Sequence, residues 1–106
     1  MSGGTMLAAM LLLASAAADD IAAKEAGLDE AMECRAYSQF AAVAVPSPTG
    51  DKFARYWVAE SERRGAKLGL DKDTVYIRHL VVKIDADKAK PIWEKCLDLT
   101  PKKVFK

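Results

Sequence analysis

The chain has 106 residues, with 16 Lys and Arg against 15 Asp and Glu, one His, two Cys and four Pro. That length holds a single domain, and a formal charge of +1 leaves no basic surplus for binding nucleic acid through its phosphates. At 51% apolar, the chain is neither collagenous nor low in complexity, and it is too rich in Leu, Val, Ile and aromatics for a disordered one.

Met6 to Ala18 reads MLAAMLLLASAAA, thirteen residues without a charge, and Asp19-Asp20 closes the run abruptly. A bilayer span needs about 20 such residues, so the length suits the apolar region of a secretory signal peptide instead. Ala16-Ala17-Ala18 offers a small-x-small cleavage site, and Ala14-Ser15-Ala16 offers another two residues earlier. The opening MSGGT lacks the usual Lys or Arg. The competing reading is a buried N-terminal helix, since Leu, Ala and Met are strong helix formers. No Cys ends the apolar run, which disfavours a lipoprotein. The expected organisation is a signal peptide over 1–18 and one helical domain over 19–106, about 88 residues once mature. It would be periplasmic or secreted, with no stable membrane insertion after cleavage.

Beyond the leader the periodicity is helical. From Leu28 to Val45, Leu28, Ala31, Met32, Ala36, Phe40 and Val43 recur at i, i+3, i+4, widened by Cys34, Tyr37, Ala41 and Ala44. Asp29, Glu30 and Glu33 stand in the first turns, where negative charge suits the helix dipole. The preceding IAAKEAG extends this helix or forms a separate turn, with Gly27 the weak spot. Pro46 and Pro48 require the helix to end by Val45. Residues 51–68 predict a second helix, capped by Thr49 or Asp51, with an aromatic face of Phe53, Tyr56 and Trp57 beside Ala54, Val58, Ser61, Gly65 and Leu68. Gly69 followed by Leu70 fits a glycine C-cap.

Residues 74–84, TVYIRHLVVKI, are β-branched enough for a strand. Apolar residues occupy both parities, however, and no second segment could pair with a strand. A helix capped by Asp71 or Asp73 fits better, with Ile77, Leu80, Val81 and Ile84 as its expected buried face. Asp85-Ala86-Asp87 opens a short last helix that tolerates Pro91 near its start. Ile92, Trp93, Cys96 and Leu97 form its inner edge, Thr100-Pro101 stops it, and the basic tail Lys102–Lys106 is expected to fray unless Phe105 docks.

Cys34 and Cys96, in an exported chain, invite one disulfide. The bond would enclose about 62 residues, for which loop entropy gives roughly 4 kcal/mol. Two buried, reduced thiols are the alternative. The expected fold is thus an all-α small bundle of about four helices closed by one disulfide, Cys34 to Cys96.

Little else suggests chemistry. There is no Cys-x-x-Cys, no haem motif, no His-Glu-x-x-His and no EF-hand loop. His79 could pair with a thiol as an acid–base couple, but a lone His fits a helix boundary better. Asp71, Asp73, Asp85 and Asp87 suit capping, and Glu60, Glu62, Arg63 and Arg64 suit a solvated face laced with ion pairs. Tyr37, Phe40, Phe53, Tyr56, Trp57, Tyr76 and Trp93 read first as core and second as an apolar-ligand pocket. Asp19 to Glu33 carries six acids and one Lys, and Lys88 to Lys106 six Lys and two acids, so closing the disulfide would bring opposite charges together. The alternative for the basic tail is an acidic partner or an anionic membrane surface. No catalytic, cofactor or metal residues are assigned, and no enzyme is expected.

The outline (export signal, roughly 90 mature residues, helices, one Cys pair) resembles in architecture the small acid-stress chaperones of the bacterial periplasm, and equally many other small exported helical proteins. The expected role is a protein-interaction or chaperone-like module with an unidentified protein partner and no nucleic acid. A chaperone version implies loosening at low pH as the carboxylates protonate. The alternative is a small-molecule carrier with an aromatic pocket between the first, second and last helices.

Overall fold

Pro46 ends the first helix as its restriction on the preceding residue requires, and the tight connector turns the chain straight back. The computed structural model describes residues 3–106, with side chains described from Asp20 onward. The expected leader, residues 1–18, falls outside the residues whose side chains are described. Among the described residues there are four α-helices and no strand: α1 Gly3–Ala44, α2 Pro48–Ala66, α3 Lys72–Leu80 and α4 Ala89–Leu99. Single 3-10 turns cover Ala86–Lys88 and Lys102–Phe105. The chain is therefore the expected all-α small bundle, and Cys34 and Cys96 are bonded, their Cα atoms 5.5 Å apart.

Several boundaries differ from the sequence expectation. Helix α1 runs through Gly27 without a break, because a helical glycine costs only about 1 kcal/mol and the Gly27 carbonyl gains a bond from Arg64, at 2.7 Å. Helix α2 starts three residues early, and its cap is Ser47 rather than Thr49 or Asp51. Ser47 is extended (φ −160°) with its hydroxyl accepting from the Gly50 N–H at 2.9 Å, and Pro48 sits in the first turn, where its missing N–H costs nothing. At the other end Gly69 (φ 76°) closes a Schellman-type cap, with Leu70 N–H donating to Gly65 C=O and Gly69 N–H to Ala66 C=O. The basic tail is not frayed. It forms the last 3-10 turn, and Phe105 packs against Phe53 with ring centroids 6.4 Å apart.

α1 and α2 form an antiparallel hairpin with two cores. One gathers Ala31, Cys34, Phe53, Trp57 and Cys96, with Tyr56, Ile92 and Phe105 around them. The other joins Leu28, Met32 and Val75, flanked by Leu68, Leu70 and Val82. α4 thus closes the first core and α3 the second. The predicted solvated charges on α2 do more than face water. Glu60 is buried and bonded by Arg63 and Arg64, and Arg64 crosses to Gly27 and Glu30 on α1. The Arg63 guanidinium, helped by Arg64, holds the Glu60 carboxyl below its usual range despite burial. Lys95 on α4 pairs with Glu33 on α1 near the disulfide, one link between the acidic and basic ends.

Val75 reaches α2 where Gly65 leaves room: a Cβ on Gly65 would stand 2.3 Å from Val75 Cγ2. Gly65→Ala is therefore expected to lose about 1–3 kcal/mol by overpacking, outweighing the alanine's better helix propensity. Val75→Ala in that background should recover part of the loss, because the clash is gone. Urea unfolding of the four proteins of this cycle checks it, and strictly additive effects would contradict the contact.

Candidate interaction surface

Helix α3 is nine residues long, shorter than the roughly 12–15 at which isolated helices become even marginal, so docking must hold it. Its start is capped by Asp71, whose carboxylate accepts from the Thr74 N–H at 2.7 Å, and that bond lowers the Asp71 pKa. Its inner face is Val75 and His79, both buried. The helix stops at Leu80 rather than running to Ile84: Val81 and Val82 close it with bonds back to Arg78 and His79, and the chain beyond is held by α1. The Tyr37 hydroxyl donates to the Lys83 carbonyl at 3.3 Å and accepts from the Asp85 N–H at 2.9 Å.

Beneath α3 lies a buried polar cluster that the sequence reading missed. Arg35, only 5% exposed, donates to the Ser61 hydroxyl at 3.0 Å and places its guanidinium 5.7 Å from the Tyr76 ring centroid. Among the described residues its Nε has no partner. His79 donates from Nδ1 to the Tyr76 carbonyl at 2.6 Å, while Nε2 lies 3.2 Å from the Gln39 side-chain amide. Burial, and then the Arg35 cation, push the imidazole below its ordinary pKa.

The sign follows. A pKa lowered in the folded state means the unfolded chain takes up the proton first. The His79 contribution to stability is full above the ordinary pKa of 6.5 and falls as pH drops below it, flattening once the folded-state pKa is passed. The urea midpoint should therefore decline between pH 7.5 and 5, and His79→Gln should flatten that decline. An unchanged slope in the variant would contradict this account.

The outer face of α3 reverses the expectation. Ile77, Leu80, Val81 and Ile84, predicted as its buried side, are 63%, 59%, 77% and 38% exposed, and Tyr76 beside them is 50% exposed. The helix is apolar on two sides, and periodicity alone could not say which one enters the core. The notch at Gly65 accepts Val75 and so turns the bulkier stripe outward. Scattered apolar side chains are normal on a surface, but Tyr76, Ile77, Leu80 and Val81 share one face of α3, and Ile84 follows them in the chain. Together they expose on the order of 500 Å², in the range where a monomer's largest patch is often functional.

The other predicted residues are accounted for locally. Cys34 and Cys96 are both oxidised, leaving no free thiol beside His79. Asp85 caps the Ala86–Lys88 turn through the Asp87 N–H at 3.0 Å. Of the predicted core aromatics, Phe53, Trp57 and Tyr37 are buried, whereas Phe40 is 38% exposed and stacks on Trp93. A cleft of about 290 Å³ opens between α1, α2 and α4, lined by Ala41, Val45, Phe53, Trp93 and Leu97 among others. Tyr37 and Trp57 do not line it. Its volume lies at the lower bound of small-molecule sites, about 300–1,000 Å³.

Fold and surface together define a disulfide-closed helical bundle that carries an uncovered apolar helix face. Compared with known protein families, with curated proteins and with solved structures, the chain matches none, so each role rests on its own residues.

Proposed function

We propose that this protein is a small exported interaction module that docks onto a protein surface through the apolar stripe of α3. The observation that carries the reading is the stripe itself: Ile77, Leu80 and Val81 are more than half exposed on a helix whose opposite face is tightly held by Val75 and His79. A rigid, preformed apolar face binds without the ordering cost of a flexible one. Export is supported by the leader-like residues 1–18 and by the Cys34–Cys96 bond, which needs an oxidising compartment in most cells. Among the described residues no helix is long and apolar enough to cross a membrane. Intact mass of the native protein, before and after reduction, tests export directly: loss of residues 1–18 or 1–16 and a gain of two hydrogens on reduction are expected.

The docking claim is tested by a photo-reactive amino acid at position 80 or 81 in producing cells, with position 52 on exposed α2 as control. A discrete adduct from the stripe and none from the control is expected. Equal labelling from both, or none, would contradict the surface assignment. In a chaperone version of the same role, acid should expose further apolar surface as carboxylates such as Glu60 lose their Arg partners. Hydrophobic-dye fluorescence that stays flat down to pH 2 would exclude that version. The cleft beside Phe53 and Trp93 favours a second reading, a carrier of small apolar molecules. Saturable quenching of Trp93 fluorescence in a Trp57→Phe background by a brominated apolar ligand is its test, and its absence would remove it.

A further inference from the structure

We infer that the stripe fits a second copy of this chain, the two α3 helices packing antiparallel about a two-fold axis. This rests on the stripe being an interaction surface, as proposed above, and names its occupant.

The first support is the order of charges along α3. Asp73 lies one turn before Ile77 on the same face, with the capping Asp71 beyond it and Lys72 between them paired to Glu62, and the far end carries Arg78 and then Lys83, followed by Asp85, whose carboxylate caps the next turn. Among the described residues none of Asp73, Arg78 and Lys83 is ion-paired within the chain, and all three are exposed. In an antiparallel pair centred between Ile77 and Leu80, each Ile77 meets the other copy's Leu80 and each Tyr76 meets Val81. Each Asp73 then comes against the Lys83 end of the other chain. Acidic end meets basic end twice, and the helix dipoles oppose one another favourably. A parallel arrangement would set like charges side by side.

The second support is symmetry and size. A two-fold interface uses one patch twice and must be complementary to itself, which the Asp73-to-Lys83 gradient satisfies. Roughly 500 Å² from each copy gives about 1,000 Å² in all, the lower limit for a specific interface. The dimer is therefore weak and depends on concentration.

Sedimentation velocity of the oxidised native protein from about 1 to 200 µM tests this. A shift from monomer to dimer mass across that range is expected. Leu80→Asp and Val81→Asp should stay monomeric with unchanged helicity and melting, because both side chains point away from the core. Asp73→Lys should weaken association about tenfold, and Asp73→Lys with Lys83→Asp should restore it. A wild-type monomer throughout, or a dimer indifferent to these changes, would overturn the inference. The cross-link from position 80 separates the two claims. An adduct of twice the chain mass supports self-association. An adduct with a different protein, or stripe-dependent binding of the monomer to phosphatidylcholine/phosphatidylglycerol vesicles, overturns the dimer. The different-protein adduct leaves the docking surface standing, and no adduct at all overturns both.

Discussion

Replacing Cys34 and Cys96 by serine is expected to cost about 4 kcal/mol, the loop-entropy value for a closed segment of 62 residues. Small domains have about 5–15 kcal/mol in total, so the variant should sit near the edge of stability and melt roughly 15–30 °C lower. The loss should not be uniform. Beyond the disulfide, α4 is held by Trp93 Nε1 donating to the Tyr37 carbonyl at 2.7 Å, by the Trp57–Thr100 bond and by the Lys95–Glu33 pair. α3 docks through Val75, His79 and the Arg35 cluster, with Val75 in the core that does not hold the disulfide. Hydrogen exchange of the reduced protein should therefore rise first in α4 and the C-terminal turn, and later in α3. Uniform acceleration would mean that the two cores do not separate in the way their side chains suggest.

Trp57→Ala is expected to be comparably damaging, about 3–5 kcal/mol, the usual cost of emptying a large buried aromatic site. Trp57 is fully buried among Ala31, Cys34, Phe53 and Cys96, and its indole N–H donates to the Thr100 hydroxyl at 3.0 Å. That hydroxyl donates in turn to the Cys96 carbonyl at 2.6 Å, so the side chain ties α2 to the end of α4 beside the disulfide. Trp57→Phe keeps most of the volume and removes the donor, and should cost about 1 kcal/mol. Urea unfolding of the two variants separates packing from hydrogen bonding; equal losses would contradict the division.

The broad architecture was readable from the chain because its signals were local. Pro46 stops α1, Gly69 supplies the positive φ of a helix end, Asp71 caps α3, and two cysteines behind a leader-like run predict their own bond. What was not readable depended on tertiary choices. The pattern around residues 74–84 supports a helix with two apolar sides, and only the empty volume above Gly65 decides that Val75 goes in and Ile77, Leu80 and Val81 stay out. The end of that helix is set from afar, by the Tyr37 hydroxyl binding Lys83 and Asp85. Arg35 is hard to read from the sequence because its neighbours Ala31, Cys34 and Ser38 define a buried face, and a charge there is an exception until Ser61 and the Tyr76 ring are set around it. That exception was itself the available signal: a cation on an otherwise apolar helix face needs a partner. Glu60 and Arg64 were similarly indistinguishable from ordinary surface charge until α1 supplied Gly27 and Glu30.

These differences converge on α3. Its inner side is fastened by a valine in a glycine notch and by a buried histidine, and its outer side has none of the described residues packed upon it. The proposed docking role, whichever copy or protein fills it, requires that outer side to be open to solvent in the isolated folded chain. Carbene footprinting of the oxidised protein at about 1 µM, below the expected self-association, measures this residue by residue. Strong labelling at Ile77, Leu80 and Val81 with protection at Leu28, Trp57 and Val75 is the expected result, whereas protection of the three stripe residues in the dilute monomer would contradict it.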